Sequence, residues 1–410
     1  MLRASLIAAG AAALTAGAAI PTARAQEIPI GHLAAYTGPT SSVGKVYGQA
    51  IEDTVAYINA NGGIQDRQIN KDTVDYAYKT SRAISTYKKW SGQLNPVLIQ
   101  GWGTADTEAL VRFVARDKIP YMSASYSGHL TDPTGESPHA KSAAPYNFFY
   151  GPSYSDGCRA MVAWAKNNWE SLGKAGKPKF VHMGDNHPYP NAPKEACAAY
   201  AEGQGFEVLN PIVYSLSPGD FKSQCLSLKE SDADYAYLAN TAGSNISLLR
   251  SCETVGVETQ FLTNVWGFDE NTVDPAGSAG DSIVWPVGAA TWDSDAPGME
   301  TVKAIAGGGE RKALHYMRGV CSTLFMRDAM AMAAENGDIT GPNIKAALES
   351  MEGHVPAEMD GVCLPHTWTP DNHRGTTKVM VYQNDWNSGD WQFNKLDTID
   401  LPRRDDWLGW

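Results

Sequence analysis

Three hydroxyl side chains, Thr104, Ser125 and Ser127, stand where neutral donors could collect a small anion. Thr104 closes the run Gly101-Trp-Gly-Thr104. It also opens a stretch whose apolar residues (Leu110, Phe113, Val114) recur at helical spacing, with Thr104 or Asp106 as candidate cap. Ser125 and Ser127 end the run Ile119-Pro-Tyr-Met-Ser-Ala-Ser-Tyr-Ser127. Free N–H groups at a helix start, with hydroxyls at the end of a neighbouring strand, hold a carboxylate without any cationic side chain. Ser and Thr in such places also close turns on their own backbone, so the reading depends on the fold bringing them to one edge. The chemistry in view is capture of a small acid, not its conversion.

Three elements must position these residues. Pro96 to Gln100 reads as a strand, Gly101 and Gly103 allow a sharp turn into the helix, and Ile119 to Met122 reads as the next strand. Parallel strands joined by a helix place the helix N-terminus and both strand ends on the same sheet edge. The alternation extends in both directions. Upstream lie a strand at Ile28 to Ala34, a turn-rich loop at Tyr36 to Gly44 and a helix at Tyr47 to Asn61 stopped by Gly62-Gly63. A strand at Lys71 to Tyr78 and a helix at Ser81 to Leu94 follow. After the aromatic connection Tyr146 to Pro152, a second α/β unit begins. Its helices read as Asp156 to Glu170, Ala192 to Gly203, Gly219 to Glu230 and Ser244 to Gly256. Its strands read as Lys179 to Met183, Glu207 to Val213, Tyr235 to Ala239 and Thr259 to Thr263. Long helices at Arg311 to Ala334 and Ile344 to Met351 and a strand-like tail from Thr367 complete the chain.

The 410 residues suffice for two domains of ordinary size. Residues 1–25 read as a secretory signal peptide: Arg3, an Ala-rich apolar stretch from Ser5 to Ile20, and the cleavage site Ala23-Arg24-Ala25. No later apolar run reaches the roughly 18 residues of a membrane span. The formal charge of −12 becomes −14 without Arg3 and Arg24, which disfavours nucleic acid and anionic membranes as partners. All six cysteines lie beyond the signal, so an exported chain is expected to oxidise them. Spacing does not choose the pairing; neighbour pairing, 158–197, 225–252 and 321–363, is the expectation.

With these residues in view, the chain resembles a class I periplasmic solute-binding protein of an ABC importer, in the branched-chain (leucine/isoleucine/valine) amino-acid branch. The resemblance rests on Thr37-Gly-Pro39, Gly44, Ala56-Tyr-Ile-Asn-Ala-Asn-Gly-Gly-Ile64, the turn at Thr104, the strand Ile119 to Ser127 and Asp371-Asn-His-Arg-Gly375, in order and at matching distances. It implies two doubly wound parallel-sheet lobes joined by three hinge strands near Phe148, Pro286 and Leu364. The N-terminal lobe would then be 26–148 plus about 287–364, and the C-terminal lobe 149–286 plus about 365–410. It further implies a periplasmic monomer that captures a ligand, closes on it and delivers it to a membrane permease, with no cofactor, no metal and no chemistry.

By the same resemblance, Thr104, Ser125 and Ser127 match the positions that hold an amino acid's carboxylate. Tyr189, in His187-Pro-Tyr-Pro190, matches an aromatic contributed by the second lobe, and the loop after Tyr235 to Ala239 offers Asn240 and Thr241 where the family often has an aromatic. The family's amino-acid binders place an acid after the strand Thr259 to Thr263 to pair with the ligand's ammonium. Here that position is Val265, beside Trp266, and the nearest acid, Asp269, comes about four residues late. An unpaired buried ammonium costs several kcal/mol, so the ligand is expected to lack one unless Asp269 bends inward. Trp102, Trp266 and Tyr189 would suit an aromatic or long apolar acid, although stacked rings also hold quaternary amines. His315, Tyr316 and Arg318 lie near a position the family uses for a hydrophobic pocket residue; Arg318 could grip a second anionic group.

Enzyme readings find little. His-Glu-x-x-His, Cys-x-x-Cys, Gly-x-Ser-x-Gly and a phosphate-loop lysine motif are all missing from the sequence. Gly307-Gly-Gly309 follows a helix rather than a strand, and Asp293-Ser-Asp295 is half a calcium loop. A sensory binding protein that reports to a membrane receptor would have the same ligand site, whereas a secreted hydrolase would turn its ligand over.

Overall fold

In a computed structural model, which describes residues 27–387 and 389–410, the chain forms two α/β lobes, each on its own sheet. The expected signal peptide lies outside the described residues. The first lobe runs β1 (Ile28–Ala34), α1 (Ser41–Ala60), β2 (Ile69–Asp75), α2 (Thr80–Gln93), β3 (Leu98–Gly101), α3 (Thr104–Asp117), β4 (Tyr121–Ser123) and β5 (Asn147–Phe149). Its strands lie in the order β2-β1-β3-β4-β5, all parallel. Central strands such as β3 are buried throughout, as a sheet covered by helices on both faces demands.

The second lobe runs α4 (Tyr154–Ser171), β6 (Lys179–Gly184), α5 (Pro188–Asn191), α6 (Lys194–Gly203), β7 (Glu207–Val208), β8 (Ile212–Val213) and α7 (Lys222–Ser231). It continues with β9 (Tyr235–Leu238), α8 (Ala242–Thr254), β10 (Gln260–Thr263), α9 (Val273–Ala276) and β11 (Val284–Val287). The order β7-β6-β9-β10-β11 repeats that of the first lobe. The chain then adds α10 (Met299–Ile305), α11 (Leu314–Glu335) and α12 (Gly341–Glu349) to the first lobe. The hairpin β12 (Lys378–Asn387) and β13 (Asp390–Asp400) finally extends the second sheet.

The expected alternation is present, with three differences. The single strand foreseen at Glu207 to Val213 is interrupted around Pro211, which has no N–H for a ladder, and becomes β7 and β8. The second sheet is not wholly parallel, because β12 pairs antiparallel with both β11 and β13. The helix α10 carries too little periodicity to be read from sequence and is an addition, whereas β11 lies at Pro286, where the resemblance implies a hinge strand. Helix α11 is buried along most of its length and lies directly on α1. Gly319 permits the contact: a Cβ there would stand 2.7 Å from the Tyr47 carbonyl oxygen.

The backbone passes between the sheets after β5, after β11 and before β12. One phenol ties the three passages together. The Tyr150 hydroxyl donates to the Gly288 carbonyl (2.6 Å) and accepts from the Leu364 N–H (2.9 Å). Residues just beyond Leu364 are still bonded to first-lobe elements: Trp368 N–H to Met351 O (3.2 Å), His373 N–H to Thr131 O (2.9 Å) and His373 to Glu349 (3.0 Å). Arg374, in the same passage, instead pairs with Asp156 of α4 (2.9 Å), so the segment expected from about residue 365 to begin the second lobe bonds to both lobes before β12.

The disulfides are Cys158–Cys197 (α4 to α6), Cys225–Cys252 (α7 to α8) and Cys321–Cys363 (α11 to the third passage). Neighbour pairing holds in all three. With sequence separations of 39, 27 and 42 residues, each is worth about 3–4 kcal/mol in a chain-entropy account.

Candidate functional site

In both sheets the C-terminal strand ends face the gap between the lobes, where an open α/β sheet offers its crevice. Thr40 follows β1, Tyr78 follows β2, Trp102, Gly103 and Thr104 follow β3, and Ala124 follows β4. Opposite them, Tyr189 follows β6, Thr241 follows β9 and Trp266 follows β10. Together with Tyr154, at the start of α4, these residues line one small cavity. The lobes are closed around it: the Gly243 N–H of α8 meets Ser42 Oγ of α1 at 3.3 Å. A larger open hollow, about 1500 Å³, lies at the opposite, N-terminal edge of the second sheet beside Tyr235 and Gln260. No strand end or helix start converges on it.

The first-lobe wall is made of short hydroxyls backed by a buried acid. Ser125 Oγ donates to Thr104 Oγ1 (2.8 Å), and Thr107 Oγ1 meets Ser123 Oγ (2.8 Å) one layer behind. Helix α3 is capped by neither Thr104 nor Asp106, as its Ncap residue is Gly103 without a side-chain bond. Asp106 is instead the third helical residue and is fully buried, with Tyr76 OH donating to its Oδ1 (2.8 Å) and Oδ2 unpartnered. Burial pushes its carboxyl up to about 7, against the pull of the Tyr76 hydroxyl and the N–H groups of Asp106 and Gly103. The N–H groups at the start of α3 are therefore not all free, which corrects the sequence expectation. Gly103 must be glycine: a Cβ would stand 2.2 Å from Asp106 Oδ1 and 2.5 Å from the Tyr78 ring.

Tyr78 reaches the cavity through an unusual backbone. Ala77 and Tyr78 both have positive φ (54° and 60°), and neither is glycine. Such residues cost roughly 1–3 kcal/mol each and cluster at binding and catalytic sites. The turn is stabilised by Asp75, whose Oδ1 accepts from the Ala77 N–H (3.0 Å) and whose Oδ2 accepts from Thr37 Oγ1 (2.7 Å). Burial drives the Tyr78 phenol well above its usual range, while the Thr104 N–H pulls it down. The first N–H of α3 thus has a phenol beside it.

The second-lobe wall is an aromatic pair held by buried amides. Asn264 Oδ1 accepts from Tyr189 OH (2.7 Å) and from the Trp266 N–H (2.8 Å), and its Nδ2 donates to the carbonyls of Leu238 (3.0 Å) and Asn240 (2.8 Å). Asn240 and Asn245 extend the web to Ser215 and Gly267. Trp266 then crosses the cleft. Its indole N–H donates to Tyr154 OH (3.1 Å), and its ring packs on Trp102 (5.0 Å), Tyr47 (5.5 Å) and Tyr126 (5.4 Å). On its far side lie His315, at 5.0 Å between ring centres, and the Arg318 guanidinium, 3.9 Å from its ring.

Of the nine residues singled out in the sequence, five line the cavity: Trp102, Thr104, Tyr189, Thr241 and Trp266. Ser125 is one bond away through Thr104. Ser127 is outside, its Oγ donating to Glu108 Oε1 (2.8 Å). Asp269 does not bend into the cavity. It is fully buried behind Trp266 with its Oδ2 3.3 Å from His315 Nε2, so His315 is likewise not a lining residue. Burial and the neighbouring Glu270 push the Asp269 carboxyl up to about 7, and burial with the Arg318 charge drives His315 well below its usual range. Thr40, Tyr78 and Tyr154 were missed. Thr40 and Tyr154 follow strand ends and could have been found by that rule; the backbone that aims Tyr78 has no sequence signal.

Two lobes whose strand ends meet around one closed cavity define a clamp that takes its ligand between its halves. The chain belongs to the periplasmic binding protein family, which residues 27–390 match. An ABC transporter substrate-binding protein from Aeropyrum pernix superposes with a TM-score of 0.81 at 26% identity, covering 93% of this chain and 98% of its own. A branched-chain amino acid ABC transporter protein from Thermus thermophilus with bound valine gives 0.80 at 20% identity, over 91% of this chain and 95% of its own. A fatty acid ABC transporter substrate-binding protein from Thermomonospora curvata gives 0.78 at 18% identity, over 92% and 93%. No curated protein matches the chain. No helix among the described residues is long and apolar enough to cross a membrane.

Proposed function

We propose that this chain is the ligand-capturing subunit of an ABC-type importer, exported to the periplasm, which holds a small hydrophobic or aromatic carboxylate in the cleft and delivers it unchanged to a membrane permease. The observation that carries this reading is the meeting of Thr104 with Tyr189, Thr241 and Trp266 around one cavity. Thr104 supplies a hydroxyl and a helix-start N–H, and Thr241 supplies a buried hydroxyl that has no partner of its own. Hydrogen bonds to a carboxylate are strong where water is excluded. The aromatic walls suit an apolar body. Valine and a fatty acid, named with two of the structural neighbours, share a carboxylate on an aliphatic chain. Asp269 stands behind Trp266, so the cleft offers no obvious counter-charge to an α-ammonium there. Closure follows from contacts the ligand makes with both walls at once.

Asp106 provides the test. An ionised carboxylate just behind Gly103 repels a ligand carboxylate at the start of α3 and attracts a ligand cation. With its carboxyl up to about 7, binding of short aliphatic and aromatic monocarboxylates, read as ligand-induced thermal stabilisation, should weaken from pH 6 to pH 8. Asp106→Asn should abolish that slope. Binding that strengthens with pH and is lost in Asp106→Asn would instead assign a cationic ligand and overturn the proposal.

A further inference from the structure

Arg318 is fully buried on α11, yet only one of its three guanidinium nitrogens has a partner. Nη1 donates to the Val265 carbonyl (2.9 Å) and stands 3.3 Å from His315 Nδ1. Nε and Nη2, which together form the side-on fork of the guanidinium, are both unpartnered. Among the described residues no carboxylate forms an ion pair with Arg318, and the nearby Asp269 faces His315 instead. Two phenols around the same guanidinium, Tyr126 and Tyr47, also have no partner of strict hydrogen-bond geometry. The hydroxyl of Tyr126, whose ring lies 5.0 Å from the guanidinium, nonetheless feels both it and Tyr47, and Tyr47 packs on Trp266 beside Ser322. The fork borders open space: a Cβ built on Gly288 would meet no heavy atom within 4 Å except Arg318 Nε, at 3.6 Å. A buried guanidinium with an open fork is costly, and a planar bidentate anion is its natural complement.

Trp266 stands between this fork and the cavity, since one indole both lines the cavity and lies on the guanidinium, with Tyr126 beside it. Trp266 belongs to the second lobe, so opening of the clamp withdraws it and joins the two spaces. We propose that Arg318 is the seat of a second ligand carboxylate, so that the preferred cargo is a dicarboxylate with one end at Thr104 and the other at the Arg318 fork. The proposal rests on the capture of a carboxylate in the cleft and names its class more closely.

The test compares matched acids by titration calorimetry on the full chain: butyrate with succinate, pentanoate with glutarate, hexanoate with adipate, and 4-methylbenzoate with terephthalate. At least one diacid should bind ~30-fold or more tightly than its monoacid, the scale of a buried charged bidentate pair. That preference should fall to within about threefold in Arg318→Gln, a span too small for such a pair. Gly288→Ala, which keeps the guanidinium but fills the space beside Nε, should remove it too and covers the case in which Arg318→Gln does not fold. Absence of any diacid preference, or a preference that survives Gly288→Ala, overturns the second seat. Monoacid binding that is lost in Thr104→Ala would then leave the capture reading standing. Binding of neither series removes both.

Discussion

The two walls of the cleft are finished to different degrees. On the second lobe, Asn240, Asn245 and Asn264 bond to one another's carbonyls and to Tyr189, Trp266 and Gly267. Apart from the Thr241 hydroxyl, the polar groups that line that wall satisfy one another, although Tyr237 OH and both Asp269 oxygens behind it have no strict partner. On the first lobe, Asp106 Oδ2, Gln100 Oε1, Tyr47 OH, Tyr126 OH and the Arg318 fork are buried without partners. One wall is thus a pre-organised block that carries Trp266 as a rigid projection. The other keeps unused donors and acceptors facing inward, and their cost is recovered when something polar arrives.

The largest expected effect breaks the finished wall. Asn264→Ala leaves Tyr189 OH, the Trp266 N–H and the carbonyls of Leu238 and Asn240 each short of a bond. At about 1–3 kcal/mol per buried group before relaxation, the variant should lose ~3–5 kcal/mol in urea denaturation. A loss under about 1 kcal/mol would mean that water replaces the amide and that the wall is not rigid.

The next effect probes the unfinished wall through pH. The Asp106 carboxyl, raised to about 7 in the fold from an ordinary 3.8, binds a proton in the folded state across a window where the unfolded chain has released it. Stability therefore falls as pH rises from about 4 to about 7 and levels off above. Asp269, also raised to about 7, adds a slope of the same sign. Asp106→Asn should be close to neutral at pH 4 and stabilising by roughly 4 kcal/mol at pH 8, read as melting temperature against pH. An unchanged slope would place a partner on Oδ2 and remove the contrast between the walls.

How much of this was readable before folding follows the range of each interaction. The Gly-x-Gly turn into α3, the strand alternation and the neighbour disulfides are local patterns, and they hold. Tyr78 was not readable because sequence rules reserve positive φ for glycine and asparagine, while here Asp75, two residues before Ala77 and held in turn by the distant Thr37, supports Ala77 in that conformation. The Arg318 fork was visible only as a residue type, because its meaning depends on which neighbours decline to bond it. The helix start misleads for a related reason: Asp106 reads in sequence as one of two candidate caps, with Thr104, and its burial behind Gly103 is a tertiary fact.

The smallest effects separate three hydroxyls that look alike in sequence. Thr104 lines the cavity and Ser125 donates to it, so the double substitution Thr104→Ala, Ser125→Ala should weaken carboxylate binding by about 1–3 kcal/mol. Ser127 sits two residues beyond Ser125, but its hydroxyl donates to Glu108 on α3. Removing it costs the pinning of the β4 strand end to that helix, about 0.5–1.5 kcal/mol of stability. Ser127→Ala should therefore leave carboxylate affinity within ~0.5 kcal/mol of the parent while lowering the melting temperature slightly. A Ser127→Ala loss as large as that of the double variant would show that Glu108 releases the hydroxyl on binding. The unfinished wall would then extend a full helical turn further along α3 than the closed cleft reveals.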